Sequence, residues 1–318
     1  MRAIIYANYG GPEVLELREI DPPKVSDDEA LIDVHYTSVN PIDWKLREGL
    51  YASILKFEFP VVPGWDVAGI IRETGQSVTK FSPGDRVYGM TVSDPLGIGT
   101  YAEQTLAREK VLALAPQTLS LREAAALPLV ATSAHDALFR LGELVAGQRI
   151  LIQQGAGGVG CVAIQLAKAA GAYVYATCSE ANLEYVSSFG ADRVIDYGRE
   201  DFAKVIAAAE PGGLDMVVDG VGGETFRKGH GIIRPGGLML TMGDPPDAGL
   251  AAEHGIRSVF LDATPNGGLL EELSMQIDQG RIKLPAISEL PLADAATAQR
   301  RSQAGHVRGK LVLKCGAP

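Results

Sequence analysis

The run Gly155-Ala156-Gly157-Gly158-Val159-Gly160 constrains this chain more than any other segment. It follows the apolar, β-like RILIQQ directly and opens the helix-like VGCVAIQLAKAAG. Glycines at such a junction allow a tight turn, let the backbone approach a diphosphate, and let the helix pack close to the strand. The helix N-terminus also favours an anion. A lone glycine pattern is weak, and its meaning depends on the strand before it and the helix after it. Here that context continues down the chain. AYVYAT, RVIDY, LDMVVDG, GLMLTMG and RSVFL read as strands, and EANLEYVSSFG, EDFAKVIAAAE, GETFRKGHGII and GGLLEELSMQIDQG read as helices. Repeated βα units with right-handed crossovers make a parallel sheet covered on both faces. The expected class is therefore α/β, with a doubly wound parallel sheet that binds a dinucleotide.

The N-terminal part has a different texture. RAIIYA, ALIDVHYTSV, VAGIIRETG, DRVYGM and YAEQTLA are short β signals bounded by turn signals such as GGP, SPGD and DPLG. Helical spacing begins at LREAAALPLVATSAHDALFRLGEL, and a last β signal, GKLVLK, lies near the C-terminus. The length of 318 residues fits two domains. The expected division is a β-rich domain over 1–122, a dinucleotide-binding domain over 123–280, and a return to the first domain over 281–318.

A net charge of −10 argues against a nucleic-acid partner and for a small-molecule one. The start MRAIIYANYGG has no apolar signal core, and no run approaches 18 apolar residues. A cytoplasmic protein without a membrane span is expected. Cys161, Cys178 and Cys315 show no paired spacing, so neither a disulfide framework nor a zinc knuckle is expected. His35, His135, His230, His254 and His306 form no ligand set.

The cofactor is read at the end of the second strand, where an NAD site usually carries Asp or Glu for the ribose hydroxyls. The run there is Ala176-Thr177-Cys178-Ser179, with no carboxylate at the strand end. This points to NADPH, with Ser179 and Asn182 as donors to a 2′-phosphate and Tyr197 beside the adenine. Ser179 reads equally as a helix cap and Tyr197 as a strand-end aromatic, and Glu180 adds negative charge nearby.

VNPIDWKLREG, FPVVPGWDVAGIIRETGQSV, FSPGDRVYG, GTYAEQT, AAALPLVATSAHDAL, GAGGVGCVAIQLAKAAGA, FGADRVIDY and HVRGKLVL, in that order, resemble the medium-chain dehydrogenase/reductase superfamily over nearly the whole chain. The likeness is greatest to its zinc-free quinone oxidoreductases and alkenal/enone reductases. It implies a GroES-like β-rich catalytic domain beside a Rossmann domain, and a homodimer paired through the edge strand RSVFL.

Zinc-dependent members have a metal-binding Cys in the segment matching SVNPID and a His in that matching PGWD. Asn40 and Trp65 stand there, and TVSDPLGIGT has none of the cysteines of a structural zinc lobe. Amide and indole are poor zinc ligands, so no metal is expected. The resemblance also places Thr132, Gly220, Val221, Thr241, Gly243 and Phe260 near the cofactor. Close enone reductases often have Lys where Asn182 stands.

Without a Lewis acid, hydride transfer suits an already electrophilic acceptor, a quinone or an α,β-unsaturated carbonyl. The protein must then orient the acceptor and stabilise an oxyanion. The candidates are Asn40 to hold nicotinamide or substrate, Lys45 or Tyr51 to donate to the oxyanion, Tyr51 or water as proton source, and Asp43. Asp43 reads equally as a loop anchor, and Lys45 and Tyr51 as surface residues. His306 and Lys310 lie in the closing segment HVRGK, which the resemblance implies returns near the domain cleft. The competing functions are a zinc-type alcohol dehydrogenase with unusual ligands and a non-catalytic NADPH-binding protein.

Overall fold

The computed structural model describes residues 1–316. The first strands are β1 (Arg2–Ile5), β2 (Glu16–Glu19), β3 (Glu29–Val39), β4 (Asp66–Thr74), β5 (Arg86–Met90), β6 (Gln104–Arg108) and β7 (Leu112–Leu114). After helix Pro128–His135 come β8 (Arg149–Ile152), β9 (Tyr173–Cys178), β10 (Arg193–Asp196), β11 (Leu214–Asp219), β12 (Ile233–Thr241) and β13 (Arg257–Phe260). The chain closes with β14 (Ile287–Pro291) and β15 (Lys310–Lys314). Contacts divide it into two compact units: residues 1–132, 265–281 and 285 onward form one, and 133–264 with 282–284 form the other.

In the second unit β8 to β13 form one parallel sheet in the order β10-β9-β8-β11-β12-β13. Parallel strands are covered on both faces, which explains their near-continuous apolar runs. Leu151, Tyr175, Ile195, Val217 and Met239 from successive strands meet Phe202, Ile206 and Phe226 in one core. The strand order reverses between β8 and β11, and a doubly wound sheet receives its ligand beyond the carboxyl ends at such a point. The glycine loop leaves β8 there. The expected helix EANLEYVSSFG is a short 3-10 turn, Glu180–Asn182, followed by helix Leu183–Ser187.

The first unit is built on β3, which pairs antiparallel with β4, β6 and β15. The sheet order is β14-β15-β3-β4-β5-β7, so the C-terminal strands complete a sheet begun near the N-terminus. Ile32, Val34, Val67, Ile71, Val87, Leu112, Leu311 and Leu313 fill its core. The chain divides by contacts at positions other than those expected from the sequence. The boundary falls after Thr132 instead of 122, and helix Gly267–Asp278 groups with the first unit. That helix packs on β7: a Cβ on Gly267 would lie 2.2 Å from the Leu112 carbonyl oxygen, and Tyr88 donates to the Leu270 carbonyl at 2.6 Å. Periodicity marks a helix but not the sheet it covers. No helix among the described residues is long and apolar enough to cross a membrane.

Candidate active site

The glycine loop is a tight turn of backbone. Gln154 has φ of 55°, the Gly157 amide donates back to the Gln154 carbonyl at 2.9 Å, and the Gly155 amide to the Thr177 carbonyl at 2.8 Å. A Cβ on Gly160 would meet the Gln154 carbonyl oxygen at 2.4 Å and the Gly155 Cα at 2.8 Å, so helix Gly158–Ala169 presses against the loop with no room for a side chain. A Cβ on Gly157 would meet only that same carbonyl, at 3.3 Å. Gly157 is the N-cap and brings no side-chain oxygen to the first turn. The helix therefore starts with amides unserved by a capping side chain, on a half-buried surface at Ala156–Val159. This cradle fits the diphosphate of a dinucleotide.

The other expected cofactor residues of this unit follow or end neighbouring strands at the same edge of the sheet. After β9, Ser179 Oγ accepts from Asn182 Nδ2 at 3.0 Å. After β10, Tyr197 is half-exposed and its amide donates to the Cys178 carbonyl at 3.1 Å. After β11, the buried Asp219 accepts from the Val221 and Gly222 amides at 3.1 and 3.0 Å and so shapes the turn that begins at Gly220. Burial raises its pKa. At the end of β12, Thr241 Oγ accepts from the Gly243 amide at 3.2 Å, and Thr241 pairs with Phe260 of β13. Burial pushes the Cys178 thiol up to about 11, which leaves it unreactive. Thr132 belongs to the first unit, where its Oγ donates to the Pro128 carbonyl at 2.8 Å.

In the first unit, the end of β3 runs into helix Pro41–Arg47 through Asn40, whose amide donates to Asp43 Oδ2 at 2.8 Å. This is half of a capping box, and it explains why Asn and Asp stand three apart. Both ends of the Asn40 side chain are occupied: Nδ2 donates to Asp66 Oδ2 at 2.8 Å, and Oδ1 accepts from Lys310 Nζ at 2.5 Å. Ser38 Oγ also donates to Asp66 Oδ2, at 2.5 Å, and the Leu129 amide donates to Asp66 Oδ1 at 2.8 Å. Lys310 lies 3.6 Å from Asp66, and both are buried. Asp66 thus ties the end of β3 to β15 and to the start of the helix that carries Thr132. Burial lowers the Lys310 pKa, and the carboxylates of Asp66 and Asp43 oppose that shift.

Asp43 is buried as well. Tyr101 Oη donates to its Oδ2 at 2.8 Å, while Oδ1 has no hydrogen-bond partner among the described residues. Burial raises its pKa to about 7, against the hydrogen bonds from Asn40 and Tyr101. Asp43 and Trp65 line a cavity of about 20 Å³ with Val62, Leu96 and Ile98, which is room for about one water. Lys45 and Tyr51 were expected beside these groups. Lys45 Nζ stands 5.8 Å from the Trp44 ring centroid, and Tyr51 follows the helix in a half-buried turn that raises its pKa.

Asp66, Ser38 and Tyr101 were not among the expected residues, although Asp66 directly follows Trp65. An acid opening the apolar strand DVAGII and a lysine opening KLVLK were the available signals. A larger cavity of about 420 Å³, lined by His35, Arg86, Arg122 and Lys314, holds none of the expected residues. Its Arg122 is paired with Glu289, and its Arg86 donates to the Leu119 carbonyl.

Zinc does not fit the network. Asn40 and Trp65 are not zinc ligands, and a buried ammonium already serves Asn40 and Asp66. Among the described residues no three His, Cys, Asp or Glu side chains are grouped to hold a metal.

Comparison with known proteins matches residues 26–117 to the alcohol dehydrogenase GroES-like domain and residues 189–313 to the zinc-binding dehydrogenase family. The chain is 35% identical over 323 residues to an NADPH-dependent alkenal/one oxidoreductase of Arabidopsis thaliana, covering 98% of this chain and 79% of the relative. Among solved structures, the quinone oxidoreductase of Coxiella burnetii is 32% identical with a TM-score of 0.88, covering 99% of both chains. The Escherichia coli quinone oxidoreductase solved with NADPH is 26% identical with a TM-score of 0.89, covering 99% of this chain and 100% of that one. The chain therefore belongs to the medium-chain dehydrogenase/reductase superfamily, in its branch of quinone and alkenal/enone oxidoreductases.

Proposed function

We propose that this protein is an NADPH-dependent reductase that transfers a hydride to a quinone or an α,β-unsaturated carbonyl without zinc. The observation that carries the cofactor is the glycine cradle: a close-packed loop opening a 12-residue helix whose N-cap has no side chain to cover its amides. The acceptor class follows from the likeness to the alkenal/one and quinone oxidoreductases. NADPH, when bound, supplies the hydride.

The chain's own residues do the rest. The loop amides of Gly158 to Gly160 hold the diphosphate, and the residues following β9 to β13 hold the adenosine and nicotinamide ends. Asn40 acts as a positioning residue, because both ends of its amide are fixed by Asp66 and Lys310. Asp43 has an unpaired buried oxygen and a pKa near neutrality, so it holds or releases a proton at working pH. Lys45 or Tyr51 donates to the acceptor oxygen, and Tyr51 or water returns the proton. Thr132 sits on a helix anchored through the Leu129 amide to the same Asp66.

The reading extends to a homodimer through β13, the terminal strand of its sheet, whose outer edge pairs with no strand among the described residues. Light scattering on eluting protein tests it, and a monomer at micromolar concentration counts against it. A cytoplasmic location is also part of the proposal. The Arabidopsis relative is named as chloroplastic, so cell fractionation decides between the two compartments.

The activity is tested by following NADPH absorbance with quinones, enones and simple alcohols. Turnover of quinones or enones is expected. Turnover of alcohols alone would sink the proposal, and tight NADPH binding with no turnover would mark a non-catalytic binding protein.

A further inference from the structure

β9 and β10 end side by side, with Asp196 opposite Cys178. The segments that follow them, Ser179–Asn182 and Tyr197–Arg199, therefore form one ledge beside the loop that leaves β8. A dinucleotide with its diphosphate on that loop extends its adenosine ribose over this ledge. No Lys stands on the turn Ser179–Asn182, and Glu180 would repel a 2′-phosphate. A cation nonetheless reaches the ledge from β10. Arg199 Nη2 contacts Glu180 Oε1, and Arg199 Nε faces Asp196 Oδ2 at 3.7 Å.

The two carboxylates differ in kind. Asp196 is buried, with 7% of its side chain exposed, and its Oδ1 accepts from the Gly198 amide at 3.0 Å. It is a fixed anchor under the guanidinium. Glu180 and Arg199 are exposed at 62% and 68%, so their pair is screened by solvent and weak. A ribose 2′-hydroxyl carries no charge and offers Arg199 little reason to leave Glu180. A 2′-phosphate carries up to two charges and planar acceptor pairs that match a guanidinium, and so outcompetes one exposed carboxylate. Ser179 and Asn182, whose side chains bond to each other, can turn the same way.

We propose that Arg199 is the residue that selects NADPH over NADH, with Glu180 as an internal competitor that it releases when a 2′-phosphate arrives. This rests on the NADPH reading above and names the residue that makes the choice.

Isothermal titration of the purified full chain with NADPH, NADH, 2′-AMP and 5′-AMP, without acceptor, tests it directly. Arg199→Ala should raise the Kd for NADPH and 2′-AMP by about tenfold or more and change NADH and 5′-AMP by less than about twofold. Glu180→Gln should tighten NADPH alone, and Arg199→Lys should keep part of the selectivity. Thermal melting of each variant confirms folding, and Arg199→Gln replaces the alanine variant if that one fails to fold. Equal weakening of NADPH and NADH, or no change in their ratio, overturns the assignment. A chain that binds neither overturns it together with the cofactor reading. Selectivity that depends on Arg199 in a chain turning over no acceptor would support this assignment and sink only the reductase reading.

Discussion

The two units hold their functional groups by opposite means. In the sheet unit the diphosphate cradle is backbone, drawn from consecutive residues 155–160, and what it requires is the absence of side-chain volume at Gly160. In the other unit Ser38, Asn40, Asp43, Asp66, Tyr101 and Lys310 converge as side chains, and the Asn40–Lys310 bond joins residues 270 positions apart. The first site should therefore be sensitive to added bulk at Gly160, and the second to loss of a hydrogen-bonding or charged group.

The largest expected effect is Lys310→Met, which keeps the length of the side chain but leaves Asp66 buried without its cation. Removing one partner of a buried ion pair costs about 3–5 kcal/mol, measured by urea unfolding. Adding Asp66→Asn to that variant should restore part of the loss, because the uncompensated charge disappears. A cost below about 1 kcal/mol for the single change would break the contrast between the units.

Gly160→Val tests the other side. Its Cβ would fall 2.4 Å from the Gln154 carbonyl oxygen, so about 1–3 kcal/mol of stability and most NADPH affinity should be lost together. Unaltered NADPH binding by titration would refute the close-packed cradle.

Asp43 sharpens the comparison through pH. Its pKa rises from 3.8 in the unfolded chain to about 7, so between those values the native state holds a proton that the unfolded chain has released. Its contribution is full below pH 3.8 and is lost as pH rises through 7, with a slope of up to about 1.4 kcal/mol per pH unit. Denaturation midpoints across that range should flatten in Asp43→Asn. A slope unchanged by the substitution would assign the titration elsewhere.

The smallest effect concerns Tyr51. If its hydroxyl donates to the acceptor oxygen, Tyr51→Phe lowers kcat by about tenfold or more while the Kd for NADPH holds. An unchanged kcat passes the role to Lys45 or water.

What was legible in the sequence follows the same division. The glycine loop and the alternation after it are local patterns, whereas the edge position of Arg257–Phe260 was implied by the family resemblance; the sheet order ends on that strand. The return of the C-terminal strands was legible through family resemblance more than periodicity. Asp66 is one acid at the start of an apolar strand, with no local pattern that marks it. Its role arises from partners on β3, β15 and the start of helix Pro128–His135, a convergence that spacing cannot reveal. Arg199 was missed for a related reason: its contact with Glu180 spans 19 positions and two strands. Helix Gly267–Asp278 was recognised as a helix but assigned to the wrong neighbour, since amphipathic spacing names a buried face and not what buries it.

The central claim is hydride transfer from NADPH to an electrophilic acceptor without zinc. Its most direct test is the steady-state rate of NADPH oxidation with an enone, measured on the same protein before and after exhaustive chelation. The account predicts equal rates. A rate that vanishes on chelation and returns with stoichiometric zinc would contradict it.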